Sequence, residues 1–180
     1  MLRFNSDHKF KIMQIADTQE IPAVSPDTLS LINNALDREK PDLVIFTGDQ
    51  IKGYSKKFKK DPAIIESTID ILVEPIAKRN IPFMVTYGNH DAQCGVDNRG
   101  QYKFYAKYDN FISGDLRNSD DVGTADIQIY SSTEDKPVFE LYIIDSHGKA
   151  KDGAGYAPVD KKQIEWYVSR REQLKAENGD

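Results

Sequence analysis

The chain has 180 residues, 39% of them hydrophobic and 29% charged, and carries a formal net charge of −5. Such a composition fits one globular domain over residues 1–180, able to bury roughly 70% of its unfolded surface without staples. Its acidic balance argues against nucleic acid or an anionic membrane as partner, and its single cysteine, Cys94, excludes an internal disulfide or a cysteine-built zinc site.

The first apolar run, Phe10 to Ala16, is interrupted by Lys11 and Gln14. It is therefore neither the core of a signal peptide nor a membrane span, and the expectation is a soluble, cytoplasmic chain. Three segments read as strands: 9–17, loosely alternating through Phe10, Ile12 and Ile15, then 42–49 and 81–89, which are near-continuous apolar runs as in strands covered on both faces. Helical patterns fill the gaps. Ser25-Pro26 opens one that carries Leu29, Ile32 and Leu36 to Lys40. Between the helices, the lysine run 56–60 reads as a solvated turn. Asp61-Pro62 opens the second helix, with Ile64, Ile65, Ile69 and Leu72 on one stripe and Pro75 expected to kink or end it. This alternation predicts parallel crossovers in an open α/β sheet.

Tyr102, Tyr105, Tyr108 and Phe111 predict a short helix with an aromatic face. Segments 126–130 and 138–145 read as strands paired through the polar turn 131–136. Asp160 and Gln163 resemble a capping box for a last helix carrying Ile164, Tyr167, Val168 and Leu174.

The first three strands finish alike: Asp17-Thr18-Gln19, Gly48-Asp49-Gln50 and Gly88-Asn89-His90-Asp91. In an open parallel sheet, ligands collect at the carboxyl ends of the strands, so Asp17, Asp49 and Asn89 are expected to converge on one rim. Carboxylates gathered there repel, and a bound cation is the simplest compensation. Glycine before Asp49 and before Asn89 permits sharp turns close to an ion.

In order and spacing, Asp17-x-Gln19, Gly48-Asp49 and Gly88-Asn89-His90-Asp91 resemble the calcineurin-like metallophosphoesterases, over the chain from about Lys9 to the last helix. The later stretch 141–166, with Asp145-Ser146 ending a strand and Gly155-Tyr156 before a helix with Gln163 and Trp166, is similar to the subgroup related to purple acid phosphatases. The resemblance implies an α/β sandwich of two mixed sheets flanked by helices, and a dinuclear phosphohydrolase acting on a phosphate ester. It implies that Asp17 and Gln19 hold one metal, that Asp49 bridges two, and that Asn89 holds the second. His90 would protonate the leaving group or contact the phosphoryl oxygens, with Asp91 orienting its ring. The metals expected are divalent or trivalent: manganese, iron, zinc, magnesium or calcium.

Two departures stand out. Gln19 replaces the histidine most frequent there, which favours an oxygen-seeking ion over zinc. The family's later histidine ligands, including a Gly-His-x-His motif, have no counterpart among His8, His90 and His147. His8 is expected to be solvated and His147 to line the rim. The expectation is thus an N-terminal portion of a metallophosphoesterase, with its C-terminal part and ligands lying beyond residue 180 and with self-association through exposed sheet surface. The alternatives are a metal-binding or interaction module of the same fold without catalysis, and a manganese-dependent nuclease.

Overall fold

Ser25 and Asp61 each stand before a proline, and at each the chain starts a helix. The computed structural model describes residues 1–113, 121–150, 153 and 155–179. In chain order the regular elements are β1 (Leu2–Arg3), β2 (Ile12–Ile15), α1 (Pro26–Glu39), β3 (Leu43–Thr47), α2 (Pro62–Ala77), β4 (Phe83–Thr86), α3 (Asn98–Ala106), β5 (Ala125–Tyr130), β6 (Pro137–Ile143) and α4 (Lys161–Asn178). Two short 3-10 turns, Lys56–Phe58 and Asp91–Cys94, complete them. At both helix starts the cap side chain accepts a backbone N–H from two residues on, and proline at the first helical position loses no hydrogen bond.

One compact unit is Lys11–Ser113. Its sheet runs β2-β3-β4, all parallel, with Ile12 opposite Leu43 and Val44 opposite Phe83. β3 and β4 are buried along almost their whole length, as their unbroken apolar runs predict; β2, at the sheet edge, is only half covered. The core is Leu36, Ile65, Ile69, Leu72, Phe46 and Phe83, joined by an aromatic cluster in which Phe83 meets Phe111 at 5.3 Å and Tyr108 at 6.0 Å. The expected aromatic face therefore packs, although α3 itself stops at Ala106 and Tyr108 and Phe111 lie beyond it. Pro75 does not end α2, which runs on to Ala77. Proline takes away only the one N–H that would reach the Ile71 carbonyl, and Arg79 Nη1 donates to the Pro75 carbonyl, one of the last-turn carbonyls, at 2.7 Å and ties the end down. The lysine run is not merely a solvated turn, because Phe58 is buried and anchors it.

The second unit comprises Met1–Phe10 and the chain from Gly114 onward. Its sheet is mixed, in the order β1-β5-β6, with β1 parallel to β5 and β5 antiparallel to β6. The expected hairpin through 131–136 forms, and Asp160 with Gln163 closes a full capping box on α4. The stripe expected on α4 is only partly buried. Leu174 is covered, but Ile164, Tyr167 and Val168 are exposed, and the covered positions are Gln163, Trp166 and Leu174. The architecture is thus the expected α/β one of two sheets with flanking helices, one sheet being wholly parallel and the other mixed. Among the described residues no helix is long and apolar enough to cross a membrane.

Candidate metal centre and phosphoryl site

Parallel pairing in consecutive order brings three strand ends side by side: Ile15 lies opposite Phe46, and Thr47 opposite Thr86. The segments that follow stay together. Asp17 N–H donates to the Gly48 carbonyl at 3.0 Å, Gln19 N–H to Asp49 at 2.9 Å and Glu20 N–H to Gln50 at 3.1 Å. Gln50 Nε2 then reaches the Thr86 carbonyl at 2.9 Å. The loops bearing Asp17, Asp49 and Asn89 are therefore laced together beyond the last strand residue.

Backbone strain is concentrated there. Asp17, Gln19 and Asp49 all have positive φ, at 53°, 43° and 53°. Each such conformation costs a non-glycine residue about 1 kcal/mol or more and persists only where the surroundings over-determine it. Glycine is required twice. At Gly48 (φ 107°) a Cβ would lie 2.6 Å from the Gly88 nitrogen, and at Gly88 one would lie 2.0 Å from Asp49 Oδ1. The glycines let the two turns touch.

Asp91 is almost wholly buried, and its carboxylate accepts three backbone N–H groups: Asp49 at 2.8 Å, Gly88 at 2.8 Å and Ile51 at 3.2 Å. Burial pushes its carboxyl up to about 6, against the opposing pull of those N–H groups. At neutral pH it is a buried anion that clamps two of the three loops. The resemblance implies that Asp91 orients the His90 ring; the contact found is different. His90 Nδ1 faces Gln93 Oε1 at 3.1 Å, and Asp91 acts on the backbone. The signal for Gln93 was its position three residues on, one turn away in the 3-10 segment that starts at Asp91.

Asp49 is buried; its Oδ1 accepts the His90 N–H at 2.9 Å, while Oδ2 lies 3.9 Å from His90 Nε2. The His90 ring meets Tyr54 edge-on at 4.8 Å. Among the described residues the side chains of Asp17, Gln19 and Asn89 have no hydrogen-bond partner. Asp17 is exposed, and Gln19 and Asn89 are half-buried. These are hard oxygen donors on a rigid frame, a donor set that suits magnesium, manganese or calcium better than a soft ion.

The second unit holds a cluster of which sequence reasoning found only His147. Asp121, Asp145 and His147 place one ligand atom each within 4.8 Å of one another, and among the described residues no other trio of His, Cys, Asp and Glu does so. Their hydrogen bonds are largely committed. Asp121 Oδ2 accepts from Gln163 Nε2 at 2.8 Å and Thr124 Oγ1 at 2.9 Å, and Asp145 Oδ1 accepts the His147 N–H at 2.8 Å. His147 Nε2 lies 3.6 Å from Asp160 Oδ2 and 3.9 Å from Asp121 Oδ2. The available signal was the strand ending in Asp145-Ser146-His147, which has the same polar finish as the first three strands.

Residues 10–178 match the family model described as calcineurin-like phosphoesterase. The chain is 28% identical over 206 residues to "Probable inactive purple acid phosphatase 14" of Arabidopsis thaliana, covering 98% of this chain and 50% of that protein. It is 33% identical over 190 residues to "Phosphatase DCR2" of Saccharomyces cerevisiae, covering 92% of this chain and 32% of that protein. It is also 28% identical over 91 residues to "Uncharacterized metallophosphoesterase" of Aquifex aeolicus, covering 49% of this chain and 31% of that protein. The chain thus spans from about a third to a half of the length of these relatives.

Proposed function

The chain belongs to the calcineurin-like phosphoesterase family, a family of metal-dependent hydrolases, and on that premise we propose that its β2–β4 strand ends form a metal-dependent site for phosphate esters. Asp17 and Gln19 would hold one divalent ion and Asn89 a second, with Asp49 as a ligand available to both. Bound ions of this kind neutralise the phosphate and supply a nucleophilic water near neutral pH. The observation that carries the reading is the positive φ at Asp17, Gln19 and Asp49 on a glycine-crowded frame, with oxygen donors left open at its rim.

The protein's own groups do the rest. Asp91 fixes the loops, so that Asp49 and the His90 backbone keep one relative position. The His90 ring, with Gln93 at Nδ1, presents Nε2 on the side of Asp49. From there it protonates the leaving oxygen of the ester, a role that contributes roughly a hundredfold or more to rate.

A second reading, a metal-binding module without turnover, is favoured by the names of three relatives from Arabidopsis thaliana, each called a "probable inactive" purple acid phosphatase. Manganese binding by calorimetry and hydrolysis of an aryl phosphate separate the two. Under the first reading the chain binds metal and turns over, Asp49→Asn loses both, and His90→Gln keeps binding while losing turnover. Binding without turnover in the unaltered chain selects the second reading, and full binding by Asp49→Asn sinks the site.

A further inference from the structure

Between residues 52 and 60 the chain carries five lysines and no acidic residue, in a protein whose formal charge is −5. Among the described residues none of Lys52, Lys56, Lys57, Lys59 and Lys60 has an ion-pair partner. A lysine run on a floppy loop would be solvated surface and nothing more. This one is held in shape. Phe58 is 1% exposed and anchors its centre; Ser55 caps the 3-10 turn from below; Lys59 and Lys60 both take left-handed backbone, at φ 53° and 55°.

The run is also fixed against the proposed site. Gly53 packs so closely on the turn after Asn89 that a Cβ there would lie 2.0 Å from the His90 carbonyl oxygen and 2.9 Å from the Cys94 nitrogen. Tyr54 lies edge-on to the His90 ring, and Lys52 Nζ stands over the Tyr54 ring, 5.3 Å from its centre. Next to them opens a cleft of about 360 Å³ lined by Tyr54, Lys56, Lys59, Lys60 and Gln93, together with Gly53, Ser55 and Cys94. Gln93 faces this cleft and also pairs with His90.

We propose that this cleft is a specificity subsite for a second phosphate group on a polyphosphorylated small molecule, whose scissile phosphate lies at His90. The inference rests on the reading of the β2–β4 strand ends given above. An ammonium is a compact charge with three donors, and several around one concave space fit a phosphate dianion. The size of the cleft falls in the range of small-molecule pockets. Tyr54 closes the side towards His90 and offers an aromatic edge to whatever links the two phosphates. A flat protein partner would have no use for the concavity.

The test uses the full chain and its triple variant Lys56→Gln, Lys59→Gln, Lys60→Gln, which keeps polar side chains of comparable reach. In the first arm, inositol hexakisphosphate is titrated by calorimetry in the presence of a chelator. This arm does not need the metal centre, so it stands or falls apart from the proposed function. The unaltered chain should bind saturably with 1:1 stoichiometry, and the variant about tenfold or more weaker. A triple arginine variant should restore binding. No saturable binding by the unaltered chain, or equal binding by the glutamine variant, overturns the proposal. In the second arm, kcat/KM is compared for fructose 1,6-bisphosphate and fructose 6-phosphate. The variant should lose about tenfold on the first, through KM, and stay within about twofold on the second. An equal loss on both, or no loss on the first, also overturns it.

Discussion

Asp17, Gln19 and Asn89 leave their side chains open on a frame made by the backbone, whereas Asp121, Asp145 and His147 have spent theirs on one another and on Gln163 and Thr124. In the β2–β4 unit the cost of placing polar groups lies in strained dihedrals and in glycines that admit no Cβ. In the β5–β6 unit it is met by hydrogen bonds among side chains, with strain at His147 alone of the three, at φ 66°. A frame built from backbone keeps ligand oxygens free for something from outside. A network built from side chains is already satisfied and gains less from an added ion. Geometric closeness therefore ranks the two places in the opposite order to chemical availability.

The sharpest way to break this contrast is Asp91→Ala. It removes the acceptor of three backbone N–H groups in a buried position, and leaving buried donors unpaired costs about 1–3 kcal/mol each before relaxation. We expect a loss of about 3–5 kcal/mol in urea unfolding, with metal binding lost alongside. If Asp91 instead served only the His90 ring, stability would be near that of the unaltered chain.

Gln163→Ala probes the other region. Gln163 Nε2 donates to Asp121 Oδ2 and Thr124 Oγ1, and Oε1 accepts the Asp160 N–H as the return half of the capping box. Its removal should cost about 2–3 kcal/mol. Adding manganese should not restore the melting temperature, because no ion is needed there. A midpoint rescued by manganese in this variant, and not in Gln163→Ala combined with Asp121→Ala, would make the cluster a cation site and reverse the comparison.

Gln93→Leu should be milder for stability. It leaves the clamp on the backbone intact and takes away the partner of His90 Nδ1. Turnover of an aryl phosphate should drop about tenfold through kcat, with metal affinity and melting temperature held. Unchanged kcat would mean that the ring needs no partner at Nδ1.

What could be read in the sequence, and what could not, follows the same division. Caps at Ser25, Asp61 and Asp160, the buried runs of β3 and β4, and the three polar strand ends are local signals, each carried by neighbouring residues. Gln93 as the partner of His90 was hidden, because adjacency favours Asp91 and only the local turn sends the two side chains to different places. The buried face of α4 was hidden too. Apolar residues lie all round that helix, and its rotation follows Gln163, whose amide is wanted by Asp121 and Thr124. Asp121 gave no signal at all, since nothing near it in sequence marks it as a neighbour of Asp145.

Glu140 on β6 carries the comparison into pH, where the outcome turns on the sign of a proton. Asp126 on β5 pairs with Arg170 Nε at 2.9 Å through Oδ2, and among the described residues neither Asp126 Oδ1 nor Glu140 Oε1 receives an N–H or hydroxyl donor. Burial first, then hydrogen bonding to Asp126 and its charge, push the Glu140 carboxyl up to about 8, with Arg170 pulling the other way. A proton on Glu140 thus supplies the donor that the pair lacks. An acid whose pKa is raised on folding binds more protons folded than unfolded between its two pKa values, so stability falls as pH rises through that window. The window runs from 4.5, the ordinary value, to about 8. Below it both states are protonated and nothing is lost; above it the folded chain bears two adjacent carboxylates with one arginine between them. Glu140→Gln replaces the proton by a permanent amide donor, and so should unfold at the same urea concentration as the unaltered chain near pH 4. It should then pull ahead through neutrality and hold its advantage above about pH 8. A parallel pair of curves across that range would mean that Glu140 is ionised in the folded chain at neutral pH, with Arg170 serving both carboxylates.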